Sequence, residues 1–331
     1  MKVNIAPVFV ESYYNTVKHS SEYVNIISSG SLAAIYSENK DIFYMSVVNT
    51  PFDENVALRL PTETANLFIN EGTLEIIEEE GHYHLTHKNN SDDVTVSATI
   101  AHEYCNLREK IIEFLESTRE NPTIVIDNSI FQRALLLIKA SSNAVGVKGV
   151  QFKNNYVYTN ANGYIAYMRE PTGLSLVLSN NALKALSTFT RNAESSSFSF
   201  CRGYNLCTVG NLVMGWRKER AQDMYDLSSI NYDYSSSMHT NSMKLLFQNI
   251  KSEILTANIN FNTGYLTVVT QIGHYSLKLD IETRDDLNKF NLNINIIKDL
   301  IGSFDSVIEV KLTGTTLAFV NKGIHYFMGG C

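Results

Sequence analysis

Apolar and polar residues alternate along most of the chain, and at intervals the alternation gives way to a helical period. The clearest stretch runs from Gly149 to Met214. It opens with GVQFKNNYVYTNANGYIAYMRE, where alternation around turn-forming Asn and Gly predicts paired strands. In GLSLVLSNNALKALSTF, Ala182, Leu183, Ala185, Leu186 and Phe189 fall on one helical face, with Asn180 and Asn181 as start signals. SFSFCRGYNLCTVGNLVMGW then returns to alternation in three segments, broken at Arg202-Gly203 and at Val209-Gly210-Asn211. The unit is strands, one helix, strands.

The unit recurs on both sides. Upstream it reads SLAAIYSENKDIFYMSV, VALRLPTETANLFI and GTLEIIEEEGHYHLTH. Downstream it reads NINFNTGYLTVVTQIGHYSLKL, FNLNINIIKDLIGSF and SVIEVKLTGTTLAFVNKGIHYFMG. The helix starts Pro61, Ser179 and Asn293 align, a period of about 115 residues. A second helical segment precedes each unit: ESYYNTVKHSS, NSIFQRALLLIKASS and NSMKLLFQNIKSE. Each carries a β-branched residue followed by lysine: Val17-Lys18, Ile138-Lys139 and Ile250-Lys251. The predicted class is α+β with three repeated domains, 1–122, 123–226 and 227–331. Between the first two lies an extra helix over about 102–120, with Leu107, Ile111, Phe114 and Leu115 at helical spacing and Asn121-Pro122 as its stop. The second junction is a polar link, SSINYDYSSS.

Composition adds little to this and removes several alternatives. The 331 residues are 44% hydrophobic and 18% charged, enough apolar content for real cores. No apolar run reaches the length of a membrane span and no signal-peptide pattern opens the chain, so a soluble, cytoplasmic protein is expected. Abundant Asn, Lys and Ile with five Pro fits an AT-rich genome, viral or low-GC bacterial. Net charge is −7, but the acidic residues gather in Glu75–Glu80, Asp92-Asp93 and Asp280–Asp286, on strands and loops. The helices carry Lys18, Arg133, Lys139, Lys184, Arg191, Lys244, Lys251 and Lys298. Helices sharing one face would make that face basic within an acidic molecule.

Candidate chemistry is sparse. His82, His84 and His87 form H-Y-H-x-x-H in a hairpin; His82 and His84 share a strand face, but no Cys, Asp or Glu completes a zinc set at tight spacing. Cys201 and Cys207 could face each other on neighbouring strands, with paired structural thiols as the default reading. No phosphate loop, nucleophile triad or paired-carboxylate motif occurs, and neither enzyme activity, a cofactor nor a metal is expected.

The second repeat resembles the middle domain of the bacterial replicative sliding clamp, the β subunit of DNA polymerase III. YVYTNANGYIAYM sits where the clamp has a strand, a turn and an Asp-Gly-His-Arg-Leu-Ala stretch, and Ile165-Ala166 keep its Leu-Ala character. SLVLSNNALKALSTF resembles the clamp's strand entering its second helix. MGWRKERAQDMYDL resembles the end of its second domain, and HYFMGGC sits where the clamp ends in a Val-Met-Pro-Met-Arg type of tail. The resemblance implies a homodimeric, head-to-tail ring of six domains around double-stranded DNA, a processivity factor without chemistry of its own. The basic helix residues named above would then touch phosphates weakly and without regard to sequence, because tight contacts would stop sliding. The resemblance also implies a hydrophobic pocket for short peptide motifs of the DNA polymerase and clamp loader, formed by Val147, Ile165, Leu227, Tyr326 and Met328. Two departures mark that pocket: the clamp's His-Arg is Gly163-Tyr164 here, and its Pro-Met-Arg is Gly329-Gly330-Cys331. The alternative is a structural or interaction protein of a virus, built on the same repeats but encircling nothing.

Overall fold

The structure, a computed structural model, describes residues 2–5, 21–29, 32–39, 41–48, 57–68, 72–89, 95–101, 108–120, 124–139, 149–161, 164–201, 203–220, 230–287, 289–314 and 316–329. The chain divides into two compact units, Met1–Ser129 with Lys184–Lys218, and Ile130–Leu183 with Glu219–Cys331.

In the first unit, eight strands form one sheet in the order β5 (Ala57–Pro61), β2 (Tyr23–Ser29), β3 (Leu32–Glu38), β4 (Ile42–Val48), β16 (Leu212–Arg217), β15 (Tyr204–Val209), β14 (Ser195–Cys201), β9 (Ile124–Asp127). Four more form a second sheet: β1 (Lys2–Ile5), β6 (Gly72–Glu79), β7 (His82–Asn89), β8 (Thr95–Ala101). The second unit repeats the plan. Its eight-stranded sheet runs β13 (Leu176–Ser179), β10 (Gly149–Lys153), β11 (Tyr156–Ala161), β12 (Tyr164–Arg169), β24 (Ile324–Gly329), β23 (Thr316–Asn321), β22 (Val307–Thr313), β17 (Tyr234–His239). Its four-stranded sheet runs β20 (His274–Lys278), β19 (Tyr265–Thr270), β18 (Ile254–Asn260), β21 (Lys289–Asn291). The pairings are antiparallel, as short turns require where they join consecutive strands, and the long-range pairs β4–β16 and β12–β24 are antiparallel too. At the β10–β11 turn Asn154 (φ 52°) and Asn155 (φ 65°) adopt the left-handed backbone that a two-residue hairpin demands.

Each eight-stranded sheet is two four-stranded halves joined at one seam, β4 to β16 and β12 to β24. The two seams share a register. The first residue of the incoming strand faces the fifth of its partner: Leu212 faces Ser46, and Ile324 faces Met168.

The helices are α1 (Thr62–Phe68), α2 (Arg108–Glu120), α3 (Ser129–Leu137), α4 (Asn180–Phe189), α5 (Asn241–Asn249) and α6 (Ile294–Ile301). Their starts follow the sequence. The Ser179 hydroxyl accepts from the Ala182 N–H at 3.2 Å, and the Asn293 side chain accepts from the Ile296 N–H at 3.4 Å. α4 buries Ala182, Leu183 and Leu186, and α6 buries Ile296, Ile297, Leu300 and Ile301. The recurring Ile-Lys pair closes α3 and α5 in the same way: Ile138 and Ile250 are buried, and Lys139 and Lys251 are exposed. The corresponding first-repeat segment with Val17-Lys18 lies outside the described residues. Among the described residues no helix is long and apolar enough to cross a membrane.

Candidate functional site

The two large sheets each have an inner face, against which helices pack, and an outer face. In the second unit β12 and β24 set the pattern. Tyr164, Ala166 and Met168 point inward, as do Tyr326 and Met328 of the paired strand. The Tyr164 hydroxyl donates to the Leu137 carbonyl at 3.0 Å, and Phe304 lies 5.6 Å from Tyr326, ring centre to ring centre. The alternate residues Ile165, Tyr167, His325 and Phe327 therefore point outward, because successive side chains of a strand leave opposite faces.

These outward residues form an aromatic surface. Tyr167 stacks on His325 (4.7 Å, 8°) and on Phe327 (5.8 Å, 16°), and Tyr156 meets Tyr167 edge-on at 5.8 Å. A short extended segment crosses it: Ile230 and Tyr232 pack on the sheet, and the Tyr232 ring lies 5.9 Å from His325 and 6.3 Å from Phe327. Asp233 pins the segment's end, its N–H donating to the Leu312 carbonyl at 2.9 Å and its carboxylate accepting from the Gly314 N–H at 3.1 Å. The junction expected as a polar link is thus, from Ile230 onward, an apolar strap. Tyr156, Ile165, Ile230 and Tyr232 remain half-buried, so the surface keeps an open rim.

The electrostatics are those of a desolvated patch. Burial, helped by the Lys311 charge, holds the His325 imidazole down at about 4, so it is neutral at physiological pH. Its Nδ1 pairs with the Tyr232 hydroxyl at 2.7 Å. Burial pushes the Tyr232 and Tyr167 phenols upward. Lys311 sits 5.1 Å over the Tyr232 ring and 2.8 Å from the Glu309 carboxylate. A neutral, aromatic, half-open surface offers apolar anchorage and no acid–base chemistry near pH 7.

The expected pocket residues divide accordingly. Ile165 is on the outer face beside Phe327. Val147 and Leu227 lie outside the described residues. Tyr326 and Met328 are corrected: they are 1% and 0% exposed and belong to the core beneath the sheet. A slip of one residue exchanges every side chain of a strand between faces. The outward residues of this strand are His325 and Phe327, which sequence reasoning missed. The signal that finds them is the parity of β24 once its seam with Ile165 is known.

Of the eight expected basic residues, Lys18 is outside the described residues. Lys139, Lys184, Arg191, Lys251 and Lys298 are exposed. Arg133 is half-buried and ion-paired with Glu170, and Lys244 donates to the Phe304 carbonyl at 2.6 Å. Those two are committed to the fold.

The histidine and cysteine candidates separate. His82 is exposed and His84 half-exposed, but His87 is buried on the opposite face of β7. Among the described residues no group of three or more acidic, His or Cys side chains could hold a metal ion. Cys201 and Cys207 do not face each other. Cys207 is opposite Phe198 and Cys201 opposite Tyr204, so the two thiols lie on different faces. Burial pushes the Cys207 thiol up to about 12.

No family model matches the chain, and no curated protein matches it. Its fold does have close counterparts among solved structures. The β subunit of a DNA polymerase from Streptococcus pyogenes superposes with a TM-score of 0.71 at 10% identity, covering 100% of both chains. DNA polymerase III subunit β from Pseudomonas aeruginosa gives 0.66 at 11% identity, again covering 100% of both. The DNA polymerase III β subunit of Thermotoga maritima gives 0.66 at 11% identity, over 100% of this chain and 99% of the other. At such identities the likeness establishes the fold: this chain has the architecture of the DNA polymerase III β subunit, end to end.

Proposed function

We propose that the protein is a DNA sliding clamp, a non-enzymatic processivity factor of replication. Two copies close head to tail into a ring of six domains, with boundaries near 122/123 and 226/227 in each chain. Solved structures of the same architecture are described as DNA polymerase sliding clamps.

One observation carries the reading. Both large sheets are made by joining two four-stranded halves at a seam of fixed register. The two four-stranded sheets are halves of the same kind, and their counterparts of the seam strands, β20 and β8, are edges. Their inward apolar residues, Tyr275 and Leu277 on β20 and Val96 and Ala98 on β8, are half-buried. At the existing seams the inward residues Tyr44, Ala166 and Met214 are buried. Edges of this kind ask for a partner strand. The shared register applied to a second copy sets Thr95 against Lys278, Val96 against Leu277, Ser97 against Ser276, and Ala98 against Tyr275. Inward residues then meet inward residues.

Within such a ring Lys139, Lys184, Arg191, Lys251 and Lys298, with Lys18, supply dispersed, salt-screened contacts to double-stranded DNA. The rim of Tyr156, Ile165, Ile230 and Tyr232, with Phe327 buried beneath it, supplies the groove for short peptide motifs of the polymerase and the clamp loader. A soluble protein of the bacterial or infected-cell cytoplasm, encoded by a phage or another divergent replicon, fits the compositional bias.

Light scattering over a range of concentrations tests the ring. The expected mass is twice 37.2 kDa. Ser97→Cys combined with Ser276→Cys should then crosslink between copies. A monomer at every concentration would overturn the closed ring and favour the non-encircling interaction protein.

A further inference from the structure

The outer face of the first unit's large sheet is as apolar as that of the second, but the chain covers it with a helix of its own. Tyr36, Phe43, Met45, Leu206 and Val213 form the surface, and α2 lies on it through Ile111 (0% exposed) and Phe114 (2%). Phe114 stacks flat on Phe43 (4.4 Å, 8°) and meets Tyr204 edge-on at 5.1 Å. Lys110, the residue before Ile111, reaches Glu38 at 2.7 Å and lies 5.4 Å over the Tyr204 ring. The Tyr36 hydroxyl donates to the same Glu38 carboxylate at 2.5 Å. Two turns on from Lys110, the Ser117 hydroxyl donates to the Cys201 sulfur at 3.0 Å.

Two features set this apart from ordinary core packing. The helix sits across a surface whose counterpart in the second unit is crossed, among the described residues, by the strap at Ile230–Asp233 and by no helix. The seal at its Lys110 end is incomplete as well. A polar cavity of about 210 Å³ opens there, lined by Glu38, Asp41, Lys110 and Arg217. The contact therefore has the form of a docked amphipathic helix: two apolar anchors three residues apart, a flanking cation on a carboxylate, and a wet margin.

We propose that α2 is a resident occupant of a second protein-docking face, filling it in cis, and that this confines partner docking to the second unit. The face takes an amphipathic helix of the pattern Lys-Ile-x-x-Phe. The confinement to one partner site per chain rests on the peptide groove proposed above; the docking of α2 does not.

The test uses the full-length protein and a labelled synthetic peptide of residues 108–120. Ile111→Ser with Phe114→Ser undocks the resident helix and leaves the sheet intact. The double variant should bind the peptide one to one, the unaltered protein should bind at least tenfold more weakly, and a peptide carrying the same two changes should not bind. A folded double variant that ignores the peptide overturns the proposal, as does equal binding by the unaltered protein. Should the variant not fold, hydrogen exchange on the unaltered protein decides. α2 amides opening well before those of β3, β4 and β15 support a docked occupant. Exchange of α2 only together with the sheet makes it core and overturns the proposal. Binding of a polymerase motif peptide left unchanged by Phe327→Ser would count against the second-unit groove and leave this result untouched.

Discussion

The outer faces of the two large sheets solve one packing problem in opposite ways. At the first seam Phe43 stands opposite Gly215, and a Cβ on that glycine would collide with the Phe43 ring. At the second seam the corresponding pair is Ile165 opposite Phe327. The aromatic ring has changed strands. In the first unit it comes from β4 and receives Phe114 of α2 flat upon it; in the second it comes from β24 and receives Tyr232 and Tyr167. One side carries a helix and the other the strap at Ile230–Asp233, although backbone register is the same. The difference lies in side-chain volume at one cross-strand pair and in what the flanking segment can lay over it.

The largest effect should come from forcing the second solution on the first unit. Gly215→Phe overpacks the seam against Phe43 and should cost about 3 kcal/mol. Adding Phe43→Ile, which recreates the second unit's pair, should return at least about 1 kcal/mol of that, a coupling expected only for residues in contact. Urea denaturation of the two variants measures both numbers. Simple additivity would mean that the two seams are not interchangeable.

An intermediate effect should appear with pH. His325 is held at about 4 against an ordinary value of 6.5, so between those values the unfolded chain binds the extra proton and the folded one resists it. The contribution is complete above pH 6.5 and is lost as pH falls toward 4. The melting temperature should therefore drop more steeply across that window in the unaltered protein than in His325→Phe. Parallel curves would place the acid sensitivity elsewhere; in the first unit the equivalent place is taken by Val213, which carries no titrating group.

The smallest effect should come from Lys110→Met. The Lys110–Glu38 pair is partly exposed on both sides, and such pairs contribute about 1 kcal/mol or less. Loss of α2 docking in this variant, seen as a large drop in stability, would mean that charge rather than the Ile111 and Phe114 anchors holds the helix.

Local pattern carried much of this architecture. Ser179 and Asn293 start their helices where the period changes, the Asn-Asn turn closes β10 on β11, and the Ile138-Lys139 and Ile250-Lys251 pairs divide between core and solvent. Each depends on neighbours within a few residues, so each is visible along the chain. The candidate site was less legible. Ile165 lies on the outer face, whereas Tyr326 and Met328, expected in the same pocket, are buried beneath the sheet. The tail I-H-Y-F-M is apolar or aromatic at both parities, so alternation alone does not say which side meets the core. For the same reason the sequence leaves open whether Cys201 and Cys207 face each other, since six residues apart on a hairpin is compatible with either face.

The sequence by itself determined the strand–helix–strand unit, its recurrence and the apolar faces of α2 and α4, because backbone periodicity and capping are local properties. Only the tertiary structure decided that halves of successive repeats fuse into one sheet at β4–β16 and β12–β24. Only it decided which parity of β24 faces outward, and that Ile111 and Phe114 of α2 close one outer face while Tyr232 straps the other. Those choices rest on contacts between residues far apart in the chain. Their free energy comes from side-chain volumes meeting across a seam, and a one-dimensional pattern of apolar and polar positions does not encode them.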